Sequence, residues 1–280
     1  MNIYKTKLAI IGRGTWPLKI KSSLESNFQE LDVKVFPARE VVSHPKLVQQ
    51  SEFHVIWIAT QPSLQLKLLE KLLDMPQTII LEKPLGSNRA EIQSLIQLLQ
   101  KHPLGVVAPS NPWSYETTCL EAMELMKKEG LDTAKIEITR GGPNRRPYLS
   151  PVGDWIPHDL YLLGKVFDSE VITFNKITGN RESAVAKFLC ERFQTHVTVN
   201  SGFTEERVAE LTYSKGSKEI KANFLSGRIL INGTEHKFRA KDSYDAVSRN
   251  YLDAKNWGRE RFINAANLQL QVFSSLERLK

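Results

Sequence analysis

The sequence predicts an α/β protein: a doubly wound parallel sheet in the first part of the chain, then an α+β part with a large, mainly antiparallel open sheet. Three observations predict it. Up to about Trp113, apolar β-type runs alternate with segments of helical periodicity, joined by short connections. Among these runs, Ile79 to Pro84 reads Ile-Ile-Leu-Glu-Lys-Pro, a buried strand breaking into a charged pair at what would be the sheet's carboxyl edge, where open α/β sheets place their ligands. Beyond Ala134 the helical periodicity gives way to closely spaced strands separated by Gly, Asn or Ser turns.

Each element has its own signal. Lys7 to Ile11 is a β-type run that stops at Gly12-Arg13-Gly14, and Leu18 to Leu31 is helix-compatible. Strand, glycine turn and helix open a dinucleotide-binding unit, in which small residues let the backbone approach a pyrophosphate at a helix N-terminus. Gly12 and Gly14 match the first two glycines of G-x-G-x-x-G, while Pro17 takes the third place and is tolerated in a helix's first turn. The strand Val33 to Phe36 is not followed by the carboxylate that grips ribose hydroxyls; it runs into Pro37-Ala38-Arg39. Arg39 suits a 2′-phosphate, which favours NADP over NAD; a solvated loop charge is the alternative. Val55 to Ala59 is the next strand. Thr60-Gln61-Pro62 is a turn, with Ser63 as the expected cap of the helix Leu64 to Leu73. The strand Thr78 to Leu81, the helix Arg89 to Gln100 and the strand Gly105 to Ala108 complete a first domain, residues 1–112.

The second domain, residues 113–280, begins with a helix from Tyr115 to Glu129. Strands follow at Ala134 to Thr139, Val171 to Ile177, Ala186 to Cys190, His196 to Ser201, Val208 to Tyr213, Ile220 to Phe224 and Arg228 to Ile231. The tail from Arg259 to Leu279 is helical and is expected to return to the first domain. Between the first two of these strands lies Gly153-Asp154-Trp155-Ile156-Pro157-His158-Asp159. Asp154 and His158 are four apart and share a helix face. Because Pro157 is comfortable only in a first turn, Asp154 is the expected N-cap, with His158 near the positive helix end, where a neutral imidazole and a general base are favoured. The alternative is a plain cap and a hydrogen-bonded surface histidine.

Composition bounds the function. A chain of 280 residues, 41% hydrophobic and 25% charged, has room for two cores. The formal charge of +7 is spread along the chain without a dense basic tract, so a phosphate-bearing cofactor or an anionic small molecule is favoured over nucleic acid. Cys119 and Cys190 lack metal-ligand or disulfide-framework spacing, so no metal site is expected and a reducing compartment is. The amino terminus enters a strand with no apolar leader and no run of about 18 apolar residues exists, so a cytoplasmic protein without a membrane partner is expected.

Taken together, Gly12 and Gly14, Ala59-Thr60-Gln61-Pro62, Glu82-Lys83-Pro84-Leu85, Asn111-Pro112-Trp113-Ser114-Tyr115, and Asp154 with His158-Asp159 resemble the glucose-fructose oxidoreductase / inositol dehydrogenase (Gfo/Idh/MocA) family of NAD(P)-dependent oxidoreductases. The resemblance implies a Rossmann-like cofactor domain and a C-terminal α+β domain whose open sheet mediates homo-oligomers. It implies a catalytic role for Lys83 at nicotinamide ribose and substrate oxygen, His158 as acid/base, and Asp154 orienting substrate or histidine. Cofactor contacts are implied for Gly12, Arg13, Gly14, Thr15, Trp16, Arg39, Thr60, Gln61, Pro62, Glu82 and Lys83, and substrate contacts for Asn111, Trp113, Tyr115 and Trp155. Arg140, Arg145, Arg146 and Tyr148 join the substrate candidates, the arginines suggesting an anionic group or else a solvated loop. Departures are Pro17, the missing ribose-binding acid, the single Gly153 before Asp154, and a short chain. The expected reaction is hydride transfer between nicotinamide and a carbinol or carbonyl of a sugar, cyclitol or similar molecule. The alternatives are an imine or biliverdin reductase-like enzyme and a catalytically degenerate cofactor-binding or assembly subunit.

Overall fold

Short β-branched and leucine-rich runs with almost no charge can only be buried on both faces, and in this chain they stack into a parallel sheet. A computed structural model describes residues 6–49, 53–73, 78–101, 106–143, 149–167, 172–257 and 259–278. The chain divides into two compact units, one running to Pro112 and including Tyr244–Ala266, the other comprising Trp113–Ser243 and the chain from Asn267.

In the first unit β1 (Thr6–Ile11), α1 (Thr15–Asn27), β2 (Leu31–Phe36), the short helices α2 (Ala38–Ser43) and α3 (Lys46–Gln49), β3 (Val55–Ile58), α4 (Pro62–Leu72), β4 (Thr78–Glu82), α5 (Arg89–Lys101) and β5 (Val106–Ser110) follow one another. The strands form a five-stranded sheet in the order β2-β1-β3-β4-β5, every pair parallel. The order reverses at β1, between β2 and β3, which opens a ligand crevice beyond the carboxyl ends of β1 and β3. Gly12 sits there: its N–H donates to Phe36 O at 2.9 Å, while Ala59 N donates to Ile11 O at 2.8 Å.

Right-handed crossovers send α1 to one face and α2, α4 and α5 to the other, which leaves β4 and β5 bare on the α1 side. The tail covers them. After Tyr244 the chain forms α8, whose residues 246–253 lie against α1, and a single 3-10 turn at Ala254–Asn256 that lies against β4 and β5. Asp245 caps that helix through Ser248 N at 2.8 Å and also accepts from Ser23 Oγ of α1. The buried Asn250 accepts from Asn111 N at 2.7 Å and donates to Pro109 O at 3.3 Å. Phe28 stacks on Tyr244 at 5.3 Å between centroids.

The second unit begins with a 3-10 turn, whose residues Trp113, Ser114 and Tyr115 lead into α6 (Thr117–Glu129). It continues through β6 (Lys135–Gly142), α7 (Pro151–Val166), β7 (Ile172–Gly179), β8 (Ser183–Cys190), β9 (Thr195–Phe203), β10 (Val208–Lys215), β11 (Lys218–Asn223), β12 (Arg228–Ile231) and β13 (Thr234–His236), and ends in α9 (Arg259–Leu276), which straddles the division between the units. The eight-stranded sheet runs β13-β12-β11-β10-β6-β9-β8-β7, antiparallel except for the central pair β6 and β9. Ile136, Ile138, Val197, Val199, Leu211 and Tyr213 are buried, on the face that α6 and α7 cover. The opposite face is polar and partly exposed: Glu137 accepts from Asn200 Nδ2 at 2.6 Å, and Glu210 from Asn223 Nδ2 at 2.8 Å.

Two expected helix starts are corrected. The helix of the second-domain motif begins not at Asp154 but at Pro151, with Ser150 as N-cap accepting from Gly153 N at 3.0 Å. Asp154 is therefore a first-turn residue, Pro157 is interior, and His158 lies in the second turn, beyond the immediate reach of the helix end. In α4 the N-cap is Gln61, with Pro62 at the first helical position, and Ser63 lies inside the helix; proline's fixed φ suits that first position better than serine's hydroxyl.

Candidate active site

Around the glycine turn the backbone does the work. Gly14 is the N-cap of α1 at φ 113°, a conformation that only glycine adopts without strain, and no side chain caps the helix. A Cβ on Gly14 would meet nothing within 4 Å, whereas one on Gly12 would run into Ala59 O at 2.1 Å and the Pro17 ring at 2.8 Å. Gly12 is thus needed for packing, and Pro17 lies buried against it in the place of a third small residue. Gly14 leaves open space beside uncapped N–H groups at the start of a 13-residue helix with no acidic residue in its first turn. These features fit the pyrophosphate of a dinucleotide. Arg13, Thr15 and Trp16 of the same turn are exposed, as is Arg39 at the start of α2.

At the end of β4, Glu82 is only 6% exposed. Its Oε1 accepts from Trp57 Nε1 of β3 at 3.1 Å and from Ser110 Oγ of β5. Burial pushes the carboxyl above its ordinary value of 4.5, against the pull of these donors and of the neighbouring Lys83. Lys83 is half-buried, at the sheet's carboxyl edge, and its bond to Pro84 is cis. Thr60 and Gln61 follow the β3 end; Thr60 O accepts from Gln65 Nε2 at 2.9 Å, and Pro62 is buried. Asn111 is buried, its N–H given to Asn250.

The second unit gathers the other expected residues. His158 is buried, with Trp155 5.9 Å and Trp113 6.3 Å from it between ring centroids. Asp154, one turn earlier on α7, is buried too. Trp155 packs over Gly142, where a Cβ would come within 2.9 Å of its ring. Arg140 of β6 is not in a solvated loop: its Nε donates to Asp159 Oδ1 at 2.6 Å, with side chains 2% and 0% exposed, and its guanidinium lies 5.1 Å over the Trp113 ring. Tyr115 is buried under the Lys165 ammonium, 3.2 Å from the ring centroid. Arg145, Arg146 and Tyr148 lie outside the described residues.

Three partners were missed from sequence: Trp57, Ser110 and Arg140's role toward Asp159. Trp57 carried a usable signal, because an indole N–H in a strand buried on both faces needs an acceptor nearby.

The switch-point crevice and the open glycine turn define an α/β protein of the dinucleotide-binding class. Residues 18–108 match the GFO_IDH_MocA family model, described as oxidoreductase family, NAD-binding Rossmann fold. Solved structures of the same fold span nearly the whole chain. UDP-N-acetylglucosamine 3-dehydrogenase GnnA from Acidithiobacillus ferrooxidans is 16% identical, with TM-score 0.70 over 97% of this chain and 98% of that one. KijD10, a 3-ketoreductase from Actinomadura kijaniata in complex with NADP, is 12% identical, with TM-score 0.72 over 96% and 97%. An oxidoreductase from Thermotoga maritima is 14% identical, with TM-score 0.69 over 98% and 96%. No curated protein sequence matches the chain. No helix among the described residues is long and apolar enough to cross a membrane.

Proposed function

We propose that the chain is an NAD(P)-dependent oxidoreductase moving a hydride between nicotinamide and a carbinol or carbonyl carbon of a sugar, cyclitol or similar small molecule. The observation that carries this reading is the glycine turn, whose open side at Gly14 and uncapped α1 start suit a pyrophosphate, in a domain of an oxidoreductase family. A sugar-nucleotide dehydrogenase and an NADP-bound ketoreductase of the same fold support the reaction type. NADP is favoured over NAD because β2 ends without a carboxylate and Arg39 is exposed just beyond it.

The bound nicotinamide supplies the hydride acceptor or donor. In the oxidative direction His158 takes the hydroxyl proton as the carbinol C–H electrons leave as hydride, and the Lys83 ammonium stabilises charge growing on the oxygen. Asp154 orients His158 or the substrate, and Trp113, Tyr115, Trp155 and Asn111 contact the substrate. The polar open face of the second sheet is the proposed contact between copies of the chain.

Titration with NADPH and NADH tests the reading: binding of at least one is expected, and no binding at millimolar concentration overturns it. Lys83→Ala should keep the fold and lose at least about 100-fold in turnover across a panel of sugars, cyclitols and ketones.

A further inference from the structure

The end of β6 meets two indoles that flank one imidazole, all within the second unit. The Arg140 guanidinium lies 5.1 Å over the Trp113 ring, and the Trp155 ring comes within 2.9 Å of the place a Cβ on Gly142 would take. The ring centroids of Trp113 and Trp155 lie 6.3 and 5.9 Å from that of His158, Trp113 edge-on at 78° and Trp155 tilted at 31°. Both indoles are only half-buried, so burial alone does not fix their rings. Trp155 shares α7 with His158, three residues before it, whereas Trp113 comes from the 3-10 turn ahead of α6. Arg140 joins Trp113 to α7: its Nε donates to Asp159 Oδ1 at 2.6 Å while its face covers the indole. Asp159 engages one edge of a planar cation, which leaves the flat face for the negative face of the indole ring. One guanidinium thus connects the residue after the histidine with a ring beside the histidine.

We infer that Arg140 is a positioning residue: by holding Trp113 against His158 it sets the placement of the imidazole, and through that placement the rate of proton transfer. The inference rests on the acid/base role proposed for His158 above. Arg140 is not the anion contact that its residue type suggests, because its charge is met by Asp159 and its side chain is 2% exposed. A brace between β6 and α7 would need only the ion pair. Lysine supplies that pair, but its compact ammonium has no flat face to lay on the indole while it holds Asp159. Arg140→Lys therefore separates bracing from positioning.

The test uses the full chain with isotope-labelled histidine, the His158 ring resonances being assigned by their loss in His158→Gln. In the wild type the two indoles should displace them by ring currents. Arg140→Lys and Trp113→Leu should each move them toward the positions of an exposed histidine, and Arg140→Lys should add little in the Trp113→Leu background, because both changes break one link. With NADPH and a ketone that the wild type reduces, Arg140→Lys should lower kcat about tenfold, the worth of one desolvated cation–π contact, and leave KM within about twofold. Phe224→Leu, which removes the other ring beside the guanidinium, at 5.9 Å, should leave kcat within about twofold. If Arg140→Lys is too unstable to measure, Arg140→Met with Asp159→Leu, which strands no charge, takes its place with the same expected shift and loss. A folded Arg140 variant whose His158 resonances and kcat match the wild type overturns this inference alone, as does a full further loss of kcat on adding Arg140→Lys to Trp113→Leu. Failure of the wild type to bind NADPH or NADH overturns the nicotinamide reading, and the ring resonances still decide whether Arg140 places His158.

Discussion

Each unit has a buried carboxyl tying its own elements to one another, and the two do so by opposite means. Glu82 accepts from two neutral donors, Trp57 and Ser110, with its neighbour Lys83 adding a favourable charge. Asp159 meets a full positive charge, the Arg140 guanidinium, at 2.6 Å, with both side chains almost completely buried. A carboxyl held by dipoles keeps its proton to higher pH because burial penalises its charge. A carboxylate opposite a guanidinium forms part of a compensated pair that pins β6 to α7 at the residue after His158, and its loss from one side leaves a charge stranded. The first arrangement links three neighbouring strands of the parallel sheet; the second braces the helix that carries the histidine.

The largest expected break in this comparison is Arg140→Met. It should destabilise the second unit by roughly 3–5 kcal/mol, while the double change Arg140→Met with Asp159→Leu should recover most of that loss. Urea unfolding measures both, and a double variant as unstable as the single one would mean the pair is not the brace described. A smaller, pH-dependent effect is expected at Glu82. Its folded-state value lies above 4.5, so its stabilising contribution is complete below that pH and is lost as pH rises through the raised value. Glu82→Gln, which does not titrate, should therefore gain on the wild type as pH rises through that window; parallel stability–pH curves would contradict the assignment. The smallest effect is at Cys119, whose thiol burial pushes up to about 12. Alkylating reagent at neutral pH should leave it unmodified in the native protein, read by mass spectrometry, and label it only after unfolding.

The sheet of the first unit was legible because each strand is an apolar run with a turn residue at its end, and the glycine turn because φ > 0 restricts the choice of residue. The second sheet was legible from alternation, as in β6, where Ile136 and Ile138 are buried and Lys135 and Glu137 exposed. The start of α7 was not, because an interior proline costs about 3 kcal/mol and the burial of Ile156, Leu160 and Leu163 that outweighs it exists only in the packed helix. α8 left no apolar period to read, since the side chains it buries include Ser248 and Asn250. The Glu82 cluster depends on the register that sets Glu82 beside Ser110 and Trp57 beside Ile80, and pairing register is a property of the folded sheet.

The tail over β4 and β5 has a consequence for how the molecule is made. A ribosome that has completed Pro112 has produced every strand of the parallel sheet but not the cover of one of its faces, and it must first synthesise residues 113–243, which belong to the other unit. Until Asn250 emerges, Pro109 O and Asn111 N at the end of β5 lack their partner in that helix. The unit with the parallel sheet is begun first and finished last, so a nascent chain carries an incomplete sheet face through most of its synthesis.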